Sequence, residues 1–123
     1  MKTYTIDGNN FSTLEEFWEE VNRVFSADKY FGRFGRNFDA FRDVFAMIDQ
    51  DDLVVWKNAA LSNQNLGRHA TVKQLEEALH NCYPSARDLI LARITLAKLN
   101  QGETVFTTLV EIIVGEKIKL HLE

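Results

Sequence analysis

Apolar and polar residues alternate with two different periods along this chain, and the changes of period divide it into strands and helices. Tyr4 and Ile6 alternate with threonines before Asp7-Gly8, which predicts a short first strand that ends in a turn. A capping-box pattern at Ser12-Thr13 then precedes apolar residues at helical spacing, namely Leu14, Phe17, Trp18, Val21 and Phe25. This pattern predicts an amphipathic helix. We expect its other face to be solvated, and it carries Glu15, Glu16, Glu19, Glu20 and Arg23.

The next segment predicts a loop, a second helix and a second strand. Glycines at 32 and 35 favour a loop over residues 29–36, and Asn37 is a suitable N-cap for the helix that follows. Apolar residues recur there every three or four positions, at Phe38, Phe41, Val44, Phe45 and Ile48. Residues 53–56 form an unbroken apolar run rich in strand formers. Such a run is typical of a central strand that is covered on both faces.

Residues 57–102 predict additional helices. Many amide side chains in residues 57–70 suggest an irregular connection with one helical turn, after which the spacing of Thr71 and Gln74 suggests a capping box. Val72, Leu75, Leu79 and Cys82 share one face of the helix predicted there. A further helix begins at Pro84-Ser85 and ends at residues 100–102. Its predicted buried side consists of Leu89, Ile90, Leu91, Ile94 and Ala97.

The chain closes with a predicted helix–strand unit. Residues 103–114 combine helical spacing with many β-branched residues, and the length of the segment favours a helix. Ile118, Leu120 and Leu122 then alternate with polar residues as a final strand. Three short strands separated by helices predict an α/β fold with a small parallel sheet packed with helices. We interpret residues 1–123 as a single domain, in which residues 57–102 form an enlarged helical insertion before the last helix–strand unit.

Composition narrows the class of protein. The chain has 123 residues, a net charge of −4 and one cysteine, Cys82. A single cysteine excludes an intramolecular disulfide, and the N-terminus lacks the apolar core of a signal peptide, so we expect a cytoplasmic protein. An acidic chain without a long apolar run predicts no direct contact with nucleic acid and no membrane span. The residue patterns predict neither a cofactor nor a metal site, and the three histidines are scattered.

The most informative stretch is residues 34–45. On a helix, Asp39 and Asp43 lie one turn apart, opposite the apolar stripe, with Arg42 beside both. Like charges at this spacing cost an isolated helix roughly 0.2–0.5 kcal/mol, which a basic partner would relieve. The simplest alternative for these residues is an ordinary solvated helix face.

The same stretch resembles the signature of the barstar family. The signature consists of a glycine, a variable residue, an asparagine, an apolar residue, Asp-Ala, another apolar residue and then a second acid, and here it begins at Gly35. The order of predicted elements agrees over residues 3–56 and 103–122. The resemblance implies an intracellular protein inhibitor, or immunity protein, and not an enzyme. Such a protein occludes the active site of a ribonuclease or a ribonuclease-like toxin by imitating RNA phosphates.

The resemblance also implies a set of contact residues. Asp39 and Asp43 match the two acids of the family, which receive charge-assisted hydrogen bonds from the nuclease. The surrounding contacts would be Phe34, Arg36, Asn37, Phe38 and Arg42, with Glu111 at the rim. Arg42 stands where the family often carries an aromatic residue, and Arg33-Phe34 stand where it has tyrosines.

Three other functions stay open on the sequence alone. A protein–protein interaction module on the same fold, with a partner that is not a nuclease, would account for the altered aromatic positions. Aromatic and basic residues in the loop over residues 29–36 could contact nucleic acid, although the glycine spacing fits no nucleotide-binding motif. Metal-assisted hydrolysis by the aspartates would make the protein an enzyme.

Overall fold

The computed structural model describes residues 1–25 and 35–123. The strands are β1 (Thr3–Asp7), β2 (Leu53–Lys57) and β3 (Lys119–Leu122). The helices are α1 (Leu14–Phe25), α2 (Phe38–Met47), α3 (Ala59–Asn65), α4 (Arg68–Asn81), α5 (Arg87–Lys98) and α6 (Val105–Gly115). Short 3₁₀ turns at Gly8–Asn10 and Pro84–Ala86 precede α1 and α5. The predicted loop over residues 29–36 lies mostly outside the described residues.

The three strands form one parallel sheet in the order β1-β2-β3, which confirms the predicted fold class. The register sets Tyr4 opposite Val54 and Val54 opposite Leu120, so these residues share one face. That face carries the fully buried Trp56, whereas Leu53 and Val55 on the other face are only half-buried. The prediction that β2 is covered on both faces was therefore wrong. Right-handed crossovers between strands in chain order place their helices on one side of the sheet.

An aromatic cluster fills the space between the sheet and the first two helices. Phe17 lies at its centre, with ring centroids 5.1 Å from Phe11, 5.5 Å from Phe41 and 5.5 Å from Trp56. The indole N–H of Trp56 donates to the Ser62 hydroxyl at 2.9 Å, so its polar atom is satisfied inside the core. The cluster connects α1, α2 and β2, and it thereby fixes how α2 sits on the fold.

The structure corrects two predictions about the helices that follow β2. Thr71 does not cap a helix: α4 begins three residues earlier, and the buried Thr71 hydroxyl donates to the Gly67 carbonyl at 2.7 Å and accepts from the Val105 N–H at 2.9 Å. Thr71 thereby ties α4 to the start of α6. Residues 57–70, predicted to be mostly irregular, contain the whole of α3.

Glu20 of α1 was predicted to be solvated, but the structure buries it. Its side chain is only 2% exposed and receives the Arg23 guanidinium in two hydrogen bonds of 2.6 and 2.8 Å. The backbone N–H of Asp7 donates to the same carboxylate at 2.8 Å, and the Asn10 amide donates at 3.2 Å. Glu20 therefore joins the end of β1 to α1, a non-local role that helical periodicity does not reveal.

This carboxylate is expected to make stability depend on pH. Burial alone would raise the pKa of Glu20, but the hydrogen bonds from Arg23, Asp7 and Asn10 outweigh burial and lower it. A pKa that is lower in the folded than in the unfolded protein gives stability that is complete above the unfolded pKa, about 4.3 for a glutamate, and is lost as the pH falls through the folded pKa. Urea unfolding between about pH 7 and pH 3 should show a steeper acid loss for the wild type than for Glu20→Gln. Glu76→Gln, on an exposed position of α4, is the control. Parallel curves of unfolding free energy against pH for the wild type and Glu20→Gln would contradict the expectation.

Candidate functional site

The outward side of α2 is set by what its inward side packs against. Phe41, Val44 and Phe45 are buried, and Phe41 and Phe45 contact the rings of Phe17 and Phe25 with centroids 5.5 and 5.4 Å apart. Since these residues fix one side of the helix, the residues between them project to the surface. Asp39, Arg42 and Asp43 are all exposed, as their spacing predicts.

The two acids of α2 differ in their ion-pair partners. The Asp39 side chain is 92% exposed and lies 3.2 Å from the Arg42 guanidinium, measured from Oδ1 to Nη1. An exposed pair of this kind contributes little to stability, so it does not lock Asp39 in place. Asp43 makes no ion pair with any residue in the described ranges. The helix therefore presents one carboxylate with a weak partner and one that is available.

The residues that begin α2 have structural contacts of their own. The Asn37 side chain caps the helix by accepting the Ala40 N–H at 2.7 Å, which confirms the predicted cap. Phe38 is half-buried with its ring 5.7 Å from Trp18. Arg36 pairs with Glu19 of α1, so its charge has an acidic partner on the protein's own surface. Phe34 lies outside the described residues.

Glu111, on α6, lies beside the same surface. A groove of about 410 Å³ separates α2 from α6 and is lined by Arg42, Glu103, Thr108, Glu111, Ile112, Gly115 and Glu116. The structure thus brings Glu111 next to Arg42, although 69 positions separate them in the chain (111 less 42). The nearby negative charge of Glu103 raises the pKa of Glu111.

Sequence reasoning did not identify Glu103 and Glu116 as part of this surface. Glu103 and Glu111 are eight residues apart, about two helical turns, and this spacing was the available signal. It was weak because Glu103 precedes the helix, whose N-cap is Thr104. The groove adds negative charge beside Asp39 and Asp43, and a surface of this kind favours a partner that carries cations.

A known protein family matches most of this chain. Residues 1–97 match the family described as Barstar (barnase inhibitor). The chain belongs to the barstar family. The match includes β1, β2 and α2 with its two acids, and it extends through residues 57–97, which the sequence interpretation assigned to an insertion. It ends before α6, so the barstar-like role assigned to Glu111 stays a prediction supported only by its position beside Arg42.

Other comparisons and searches add limits. A search of the curated proteins gave no match. Within residues 1–25 and 35–123, no helix combines the length and the apolar character needed to cross a bilayer. The same residues hold no group of three or more histidine, cysteine, aspartate or glutamate side chains arranged to bind a metal ion.

Proposed function

We propose that this barstar family member is a protein inhibitor of a ribonuclease or a ribonuclease-like toxin. In this proposal α2 enters the active-site groove of the nuclease, and Asp39 and Asp43 occupy the positions of RNA phosphates. The observation that carries it is the exposure of both carboxylates on a helix that the aromatic cluster holds in place. The family's description as a barnase inhibitor gives the partner class.

The chemistry of the surface fits a cationic groove. Ribonucleases bind a polyanion, so their active sites offer Arg, Lys or His side chains to phosphate oxygens. Carboxylates accept charge-assisted hydrogen bonds from the same groups, and such bonds are about twice as strong as neutral ones. The glutamates beside α2 would add long-range attraction that speeds encounter. The positive charge of Arg42 repels a cationic groove. Its ion pair with Asp39 partly neutralises that charge and so weakens the repulsion.

The proposed place of action is the cytoplasm, where an inhibitor protects the cell from such a nuclease. Cys82 is consistent with a reducing compartment, because it is a free thiol that donates a hydrogen bond to the Leu79 carbonyl at 3.3 Å. In this role the protein neither catalyses a reaction nor contacts RNA itself.

An inhibition assay tests the proposal. Purified protein is titrated into barnase and other small secreted ribonucleases while cleavage of a fluorogenic RNA substrate is followed. We expect cleavage to fall as the protein approaches one equivalent, with a one-to-one complex on a sizing column. Undiminished cleavage by every enzyme at micromolar protein, with no complex, would remove the proposal.

The alternative is an interaction module whose partner is not a nuclease. Arg42 favours this alternative, since it places a cation between the two acids where a nuclease groove is itself cationic. Affinity purification from the source cell, with wild type and with Asp39→Ala/Asp43→Ala as bait, separates the two candidates. A non-nuclease protein that is retained by the wild type and lost with the double variant would support the module.

A further inference from the structure

A second concave surface begins next to the α2 acids. The helices α4 and α5 pack against each other as a hairpin, and a cleft of about 680 Å³ separates this hairpin from α2 and α6. Phe38 and Arg42 of α2 line its near end, so the cleft is continuous with the surface that carries Asp39. Its apolar walls are formed by Leu75, Ala78, Ile90, Leu96, Val105 and Ile112.

The exposure of apolar side chains on α5 indicates that the cleft is an unfilled apolar site. Only Ile94 and Ala97 of this helix are buried, whereas Leu89 and Leu91, predicted to be buried, are exposed. The prediction failed because no element of the described fold covers either leucine. Ile90, Arg93 and Leu96 are three residues apart, and this row faces the cleft. Leu96 keeps 43% of its surface exposed there.

The charges at the cleft indicate what would fill it. Arg93 lines the apolar wall and makes no ion pair with any described residue. Arg42 stands at the near end and Glu103 lines the opposite side, so the cleft carries two guanidinium groups and one carboxylate. A guanidinium beside an apolar wall fits an apolar side chain that is followed or preceded by a carboxylate.

The size of α2 gives a second reason for contact at the cleft. Stable protein complexes bury about 800 Å² on each partner, contributed by roughly 20–30 residues. α2 has ten residues, three of which are buried in the core. An inhibitor that held its target through the exposed side of α2 alone would fall short of this area. The cleft is the adjoining concave surface, and its apolar walls can supply the dry centre that interfaces require.

We propose that the partner that receives Asp39 and Asp43 also inserts an apolar side chain with a neighbouring carboxylate into the cleft between the α4–α5 hairpin and α2/α6. This inference rests on the proposed function, since the occupant is a segment of the same ribonuclease. The acids of α2 speed the encounter and form hydrogen bonds in the cationic groove, and the cleft adds apolar contacts that lengthen the lifetime of the complex. Selection among ribonucleases thereby depends on surface outside their active sites.

Two leucines of α5 provide a matched test. Leu96 lines the cleft and is 43% exposed, whereas Leu91 does not line it and is 39% exposed. Association and dissociation rates are measured by surface plasmon resonance with immobilised ribonucleases, barnase among them. Leu96→Ser should dissociate about tenfold faster with little change in association, because apolar contacts act mainly on dissociation. Leu91→Ser should match the wild type, and both variants need wild-type circular dichroism.

Arg93 provides a second, electrostatic readout. Arg93→Gln should weaken the complex several-fold, while Arg87→Gln, on the same helix outside the cleft, should not. Equal kinetics for Leu96→Ser, Leu91→Ser and wild type would overturn the cleft inference and leave the inhibitor function standing. Absence of binding by the wild type to every ribonuclease would overturn both.

Discussion

Asp39→Ala and Asp43→Ala should each weaken the complex with a ribonuclease about 10- to 100-fold. A hydrogen bond to a charged group contributes about 1.5–3 kcal/mol, and about 1.4 kcal/mol corresponds to a factor of ten in the dissociation constant. Asp43 has no ion-pair partner among the described residues, whereas Asp39 already pairs with Arg42. Asp43 therefore loses no ion pair with a described residue when it binds the nuclease, whereas Asp39 must give up part of its pairing with Arg42. We expect the substitution of Asp43 to have the larger effect.

The dissociation constant is measured by isothermal titration at two salt concentrations. The loss caused by either substitution should shrink at high salt, because screening already weakens the long-range part of the attraction. Asp51→Ala is the control, since this exposed acid lies in the turn between α2 and β2. If Asp51→Ala weakened binding as much as Asp43→Ala, general negative charge would explain the interaction and the phosphate-mimic geometry would be wrong.

Phe17→Ala should lower the free energy of unfolding by about 3–5 kcal/mol. The Phe17 ring is fully buried between those of Phe11, Phe41 and Trp56, so its removal leaves a cavity that rigid neighbouring rings fill poorly. Since a typical domain has only about 5–15 kcal/mol of stability, this single change removes a large share of it. The loss also reaches the site, because Phe17 supports α2 through Phe41.

Urea unfolding followed by tryptophan fluorescence measures this effect. Val114→Ala is the control, as Val114 is a large apolar residue that is 58% exposed, and it should change stability by less than about 0.5 kcal/mol. A loss below 1 kcal/mol for Phe17→Ala would show that the cluster repacks, and α2 would then not depend on it as described.

The features that follow from local periodicity could be predicted from the sequence. The apolar stripe of α2 faces inward and its acids face outward because both positions are set by the same helical repeat. The Asn37 cap and the final helix and strand follow from similarly local signals. The parallel sheet follows from the alternation of strands with helices.

The features that depend on distant residues could not be predicted in this way. Glu20 looks like a surface residue until the Asp7 N–H, far from it in sequence, donates to its carboxylate. Thr71 looks like a cap until Val105 donates to its hydroxyl. The exposed leucines of α5 are the converse case, since their pattern predicts burial but no other element covers them. The presence of Glu103 and Glu111 in one groove likewise depends on how α6 packs beside α2.

The strand order has a consequence for how the chain reaches its folded state. β3 lies beside β2 in the sheet, yet the chain between them runs from residue 58 to residue 118 and contains four helices. Each doubling of such a connection adds only about 0.6 kcal/mol of closure entropy, so the fold tolerates a long crossover at equilibrium. Contacts between residues so far apart in sequence slow folding much more than they weaken it. We therefore expect pairing of the last strand to be a late event, with the first two strands and their aromatic cluster assembled before it.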